Sequence, residues 1–281
     1  MRSLFLLLFS IPLIGVAGPV RDHRLVAELV PETDAIVAGE ILTVCLNIKH
    51  DPHWHTYWKN PGLAGVPTKL DWDLPEGFEA GPIQWARPQR VKMAIYNTFG
   101  YEDEVTLLID IKTPKDLQPG SEVEFKTKTT WMMCADACHP SSAKLSLRMP
   151  VASKANPHPK GTALANETRK TMPVENKIWD AQAIMGETTA TLRLTRRGGV
   201  KAEDADVKEL YLFSDNNLID SHPEQIVTNE GDGTYTMVLP LAEFRPKDAQ
   251  AVTGVLVYKR KADGQSEALL IKAKLSPQKK Q

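Results

Sequence analysis

The residues best equipped for covalent chemistry sit in one short run, Trp131-Met132-Met133-Cys134-Ala135-Asp136-Ala137-Cys138-His139-Pro140. Two cysteines four positions apart can bridge if the chain turns back between them, because a disulfide needs Cα atoms about 4.4–6.8 Å apart. The loop such a bridge closes is very small. In the chain-entropy picture it stabilises a fold by only roughly 2 kcal/mol. A bond that contributes so little suits a role in which it is made and broken, although an ordinary loop disulfide satisfies the same spacing. Attack on a disulfide needs a thiolate. A protonated His139 favours the charged form of Cys138, whereas Asp136 between the cysteines opposes it. Local charge therefore does not choose which thiol attacks.

Three other groups compete for attention. The run His53-Trp54-His55-Thr56-Tyr57-Trp58-Lys59-Asn60-Pro61-Gly62 is dense in rings. Trp54 and Trp58 fit a core corner, and His55 and Tyr57 fit either its rim or the lining of a site. The run Tyr96-Asn97-Thr98-Phe99-Gly100-Tyr101-Glu102 reads either as a turn with packed rings or as a flap hinged at Gly100. His53, His55, Met132, Met133, Cys134, Cys138 and His139 together could also bind Cu(I), which favours thiolate and thioether ligands. A structural zinc site lacks its Cys-x-x-Cys pairs. Cys45 reads as a small buried thiol. Ser141 and Ser142 have no nucleophile-elbow context for a Ser-His-Asp triad.

The elements that must position these residues are strands. Leu42, Val44, Leu46 and Ile48 alternate with Thr43, Cys45, Asn47 and Lys49. Val105, Leu107 and Ile109 repeat at period two, as do Val123, Phe125, Thr127, Thr129 and Trp131, then Leu145, Leu147 and Met149. The cysteines are expected in a loop just past a strand that ends near Trp131. Turn signals separate the runs, and the pattern predicts an antiparallel sandwich over residues 18–152. Residues 153–177 read as a linker with a short helix near Ala163 to Lys170. A second, smaller sandwich is predicted over 178–276, with a hairpin turn at Asp263-Gly264. The fold class is thus all-β, with two β-sandwich domains.

Composition narrows the setting. The 281 residues include 42% hydrophobic and 25% charged side chains, a globular balance, and a formal net charge of −1. No basic stripe suits nucleic acid. The first 17 residues carry Arg2, a short apolar run and the small exit Gly15-Val16-Ala17, the pattern of a cleaved secretory signal. No later segment reads as a membrane span. The expectation is an exported, periplasmic chain in an oxidising compartment, where an adjacent cysteine pair tends to meet as a disulfide.

Taken together and in order, His53 to Gly62, Phe99-Gly100-Tyr101-Glu102-Asp103-Glu104-Val105 and Trp131 to Pro140 resemble the periplasmic N-terminal domain of the DsbD thiol:disulfide interchange protein family, and its ScsB-like members most closely. The resemblance covers residues 24–150 well and the second sandwich more loosely. It implies that the first sandwich is immunoglobulin-like and that Cys134 and Cys138 are a redox-active pair. It implies a cap at Thr98-Phe99-Gly100, with Phe99 over the cysteines, and rings beside them at His55 and Tyr57. The family takes electrons from a membrane-embedded domain and passes them to periplasmic thiol proteins. Three residues between the cysteines is a shorter spacing than in the best-known DsbD proteins. With no membrane domain in the sequence, the expected donor is a separate membrane reductase or thioredoxin-like protein, and the acceptors are periplasmic thiol–disulfide proteins.

The expected function is thiol–disulfide exchange by an oxidoreductase of the protein-disulfide reductase type. Cys134 and Cys138 would carry it, lined by His55, Tyr57, Phe99, Tyr101, Asp136 and His139, with no cofactor and no resident metal. The rival roles are a copper-binding or copper-tolerance module and a non-catalytic interaction module.

Overall fold

Alternation of buried and exposed side chains organises more than half of the chain into strands. The structure, a computed structural model, describes residues 18–277; the predicted signal segment 1–17 lies outside them. The first part holds β1 (Val20–Asp22), β2 (Leu25–Pro31), β3 (Ile41–His50), β4 (His55–Gly62), β5 (Lys69–Asp73) and β6 (Glu79–Ala80). It continues with β7 (Gln89–Met93), β8 (Tyr96–Glu102), β9 (Glu104–Lys112), β10 (Glu122–Cys134) and β11 (Cys138–Pro150). One sheet runs β1-β2-β3-β9-β6. The other runs β11-β10-β4-β8-β7, with β5 alongside β10. Between them Leu29, Leu46, Ile48, Leu107, Phe125 and Leu147 form a core with almost no exposed surface.

The alternation read from β10 holds along its length: Val123, Phe125, Thr127, Thr129 and Trp131 are all buried. On β3 it does not, because Thr43, Cys45 and Asn47 are buried as well. Helix α1 (Pro159–Thr171) explains this. It opens with Pro at its first position and a His158 ring nitrogen accepting from the Gly161 amide at 3.1 Å. It then lies on the outer face of β2, β3 and β9, where Ala165 packs with Val30, Cys45 and Leu108. Ion pairs from Lys160 to Glu28 and from Arg169 to Glu32 fasten it there. The stretch read as a linker is thus largely a helix docked on the first sandwich.

The second part contains β12 (Val174–Glu175), β13 (Trp179–Met185), β14 (Thr189–Arg196), the one-turn α2 (Ala202–Ala205) and β15 (Val207–Ser214). It ends with β16 (Ile226–Gly231), β17 (Thr234–Pro240), β18 (Ala251–Arg260) and β19 (Ser266–Pro277). The strands form one continuous path, β15-β18-β19-β13-β14-β17-β16, with β12 beside β19. Strand β19 pairs antiparallel with β18 as far as Lys274, then parallel with β13 from Leu275. It thereby links two layers around a core of Trp179, Leu192, Leu212, Met237, Leu256 and Ile271.

The two sandwiches meet over rings. Trp58 and Phe99 from the first pack against Phe213 from β15, with centroids 6.5 and 4.9 Å away, and Tyr211 adds a further edge contact to Phe99 at 6.2 Å. Polar groups close the margin. Asn60 donates to the Ser214 carbonyl at 2.7 Å, and Ser221 Oγ accepts from the Leu63 amide and donates to the Asn97 carbonyl, both at 2.9 Å.

Candidate functional site

Strands β10 and β11 pair in unbroken register from Glu122 opposite Pro150 to Cys134 opposite Cys138. The cysteines are therefore the last rung of a long ladder rather than residues of a loop beyond it. They are joined as a disulfide, with Cα atoms 4.2 Å apart. Only Ala135-Asp136-Ala137 bridges the strand ends, and the Ala135 amide donates to the Ala137 carbonyl at 3.2 Å. Near the mouth Asp22 steadies the hairpin, accepting from Trp131 Nε1 at 2.8 Å and Ser141 Oγ at 2.9 Å.

The two sulfurs are not equivalent. Cys134 is fully buried, whereas Cys138 is half-buried. Strand β4 runs beside the buried one: His55 is the cross-strand partner of Cys134. Tyr57, two residues on, places its hydroxyl 3.8 Å from Cys138 Sγ. The His55 and Tyr57 rings meet edge to face at 5.1 Å. Burial pushes the Tyr57 phenol up to about 12 and the His55 imidazole down to about 4, with nearby His50 also opposing a charge on His55. Both rings are thus neutral near pH 7. Neither nitrogen of His55 has a hydrogen-bond partner among the described residues.

Outside the bridge, His139 is exposed and packs on Trp54 at 5.4 Å, and the Arg24 guanidinium lies over the other ring system of that stack, 5.8 Å from the Trp54 centroid. Asp136 is exposed at the turn. His55, Tyr57, Asp136 and His139 therefore gather around Cys134 and Cys138.

Phe99 and Tyr101 are placed differently. The segment read as a hinged flap is strand β8, paired with β4 through Tyr57 opposite Gly100. Phe99 is fully buried, with its ring in the joint between the sandwiches. Tyr101 is buried too, donating to the Ala86 carbonyl at 2.8 Å. Gly100 is not a hinge. A Cβ there would lie 2.2 Å from the Thr56 carbonyl oxygen, so close strand approach is what demands glycine.

What covers Tyr57 instead is the loop after β4. Gly65 has φ of +117°, and a Cβ on it would fall 2.4 Å from the Tyr57 ring; Pro67 bridges to Tyr57 directly. In the sequence, Gly65-Val66-Pro67 was the available signal for this loop.

Cys45 takes no part in this cluster. Its thiol is buried under α1, donates to the Gly161 carbonyl at 3.7 Å, and is pushed up to about 12 by burial. Met133 is core, and no group of three or more His, Cys, Asp or Glu among the described residues is arranged to hold a metal ion. No helix among them is long and apolar enough to cross a membrane.

Residues 26–150 match the family described as thiol:disulfide interchange protein DsbD, N-terminal. No curated protein matches the chain in sequence. Among solved structures, the N-terminal periplasmic domain of ScsB from Proteus mirabilis superposes with a TM-score of 0.68 at 18% identity, covering 92% of this chain and 98% of that one. At that identity the likeness concerns the fold, and it extends through both sandwiches. A protein of unknown function from Porphyromonas gingivalis W83 overlaps with a TM-score of only 0.24 at 8% identity, over 89% of this chain and 99% of that one, too loosely to support an inference.

Proposed function

Since residues 26–150 form a DsbD N-terminal-like domain, we propose that the protein carries out thiol–disulfide exchange through Cys134 and Cys138. The observation that carries this is the small, half-accessible bridge at the tip of the β10–β11 hairpin. A partner thiolate reaches Cys138 more readily than Cys134, because only Cys138 has exposed surface. Attack on Cys138 forms a mixed disulfide and releases Cys134 as the leaving thiol. In the other direction Cys138 bonds to the partner and Cys134 resolves the mixed disulfide. Ala135, Asp136, Ala137 and His139 surround the half-buried sulfur at the end of the hairpin, where a partner would make contact. Contact there is small and transient, as exchange requires.

The setting we propose is the periplasm, where a membrane reductase or a thioredoxin-like protein donates electrons and periplasmic thiol–disulfide proteins accept them. The test is covalent trapping in the source cell. Cys134→Ser leaves Cys138 free to form a mixed disulfide it cannot resolve, so this variant should accumulate adducts with thiol proteins, and Cys138→Ser should accumulate few. Absence of any trapped thiol protein with either variant would remove the proposal.

A further inference from the structure

Directly opposed residues on antiparallel strands project from the same face, with Cβ atoms about 4.5–5.5 Å apart. His55 opposes Cys134 on one side, and Cys138 opposes Cys134 on the other. The three side chains therefore form one row across β4, β10 and β11, and Tyr57 joins it from the same face of β4. His55 is fully buried, yet both ring nitrogens lack partners among the described residues. An unsatisfied buried polar group costs roughly 1–3 kcal/mol. In the oxidised protein nothing offsets that cost, because a disulfide has no donor. Reduction turns Cys134 into an S–H donor, or a thiolate acceptor, in the same row.

Resting on the exchange function proposed above, we infer that His55 is the proton partner of Cys134. When Cys134 resolves a mixed disulfide, its S–H bond breaks and the proton passes to an imidazole nitrogen. The freed electron pair on Cys134 attacks Cys138 Sγ. The Cys134–Cys138 bond forms, the bond from Cys138 to the partner breaks, and the partner leaves as a thiolate, which takes the proton back from His55. The protein pair is oxidised by two electrons and the partner sulfur is reduced. The reverse sequence supplies the proton to Cys134 as it leaves.

The surroundings suit a transient charge and no lasting one. Tyr57 is neutral beside the ring. His50, bonded to Thr56 Oγ1 at 3.0 Å and to the Asp103 carbonyl at 3.2 Å, is held down to about 4 by burial. Glu102 opposes His55 from β8 with its side chain exposed, and Asp136 and His139 stand exposed at the hairpin mouth. An imidazolium formed here is therefore balanced chiefly by the Cys134 thiolate that created it.

The resolving step can be read without any natural partner. Reduced Cys45→Ser protein, treated with one equivalent of dithiobis-nitrobenzoate, forms a thionitrobenzoate adduct on Cys138. Attack by Cys134 then releases the second thionitrobenzoate, which is followed by absorbance. His55→Phe should slow this release about 100-fold, the lower end of what a positioned acid–base group contributes. His55→Gln, which hydrogen-bonds without accepting a proton, should remain slow. Wild-type speed in either variant overturns the inference and leaves exchange standing. Failure of the His55-containing protein itself to release thionitrobenzoate removes the exchange function and this inference together. A second readout uses the wild type: the ¹⁵N shifts of the His55 ring should move on reduction as one nitrogen meets Cys134, and unchanged shifts overturn the inference even if the variants fold poorly.

Discussion

The cysteine end of β4 and its far end pose the same local problem and solve it differently. Both bury rings and polar groups contributed by β4 and its neighbours. At the far end, Trp58 and Phe99 are enclosed by Tyr211 and Phe213, and the polar groups of Asn60, Asn97 and Ser221 are paired across the joint. At the cysteine end, both ring nitrogens of buried His55 lack a partner among the described residues, and the covalent link beside it closes a very small loop. The joint too leaves buried groups unpaired among the described residues, Trp58 Nε1 and Tyr211 Oη, but its rings are locked edge to face and it contains no bond that can be made and broken, so it serves as a fixed joint. The cysteine end instead sets an unpaired imidazole in register with a disulfide that closes a very small loop, the arrangement the proposed exchange would use.

The largest effect should come from breaking the joint. Phe99→Ala removes a fully buried ring from the contact of the two sandwiches and should destabilise the fold by about 3–5 kcal/mol. Measured under conditions where the variant remains folded, alkylation of the reduced thiols by a bulky reagent should keep its wild-type rate. A faster rate with the fold intact would return Phe99 to the site as a cap.

Acid should act next, and on the cysteine end. His50 and His55 are held down to about 4 in the folded state, against an ordinary value near 6.5. Between these values the unfolded chain binds protons that the folded chain does not, so stability should fall as pH drops from 6.5 to 4. The slope is at most about 1.4 kcal/mol per pH unit for each group. Denaturant melts across this window should show the loss, and His55→Phe should flatten it. An equal slope in that variant would mean that His55 is not buried neutral.

Reduction of the Cys134–Cys138 bridge should cost less, roughly 2 kcal/mol, because the closed loop is so short. Melts of oxidised and reduced protein measure it directly. A loss well above ~4 kcal/mol would mark the bridge as a structural staple and erase the contrast between the two regions.

The smallest effect belongs to the rim of the joint. Arg90 pairs with Glu224 while its guanidinium lies 4.9 Å from the Tyr211 ring, but Glu224 is mostly exposed. Glu224→Ala should change stability by less than about 1 kcal/mol, and less still in high salt. A larger loss would mean that charge, rather than ring packing, holds the sandwiches together.

Much of this was legible in the residues. Period-two alternation located β3, β9, β10 and β11, the cysteine spacing anticipated the bridge, and the family resemblance anticipated His55 and Tyr57 beside it. Two details of placement were not legible. Cys134 and Cys138 were expected beyond the strand, yet they close its ladder, since nothing in Met132-Met133-Cys134 reports which backbone groups pair. Phe99 and Tyr101 were expected beside the cysteines, yet one lies in the joint and the other in the core. The Gly100 that suggested a hinge is required by a neighbouring strand whose approach no local pattern records.

By itself the sequence determined the all-β character, through side-chain alternation that any pleated strand imposes, and the pairing of Cys134 with Cys138, through the rarity of cysteine and its spacing. Tertiary structure decided which face of each strand had company. Helix α1 buried the side of β3 that carries Cys45, and the second sandwich claimed Phe99. Register between β4, β10 and β11 set His55, Cys134 and Cys138 in one row. Such outcomes depend on contacts between residues far apart in the chain, and burial, pKa and hydrogen-bond partners all follow from those contacts.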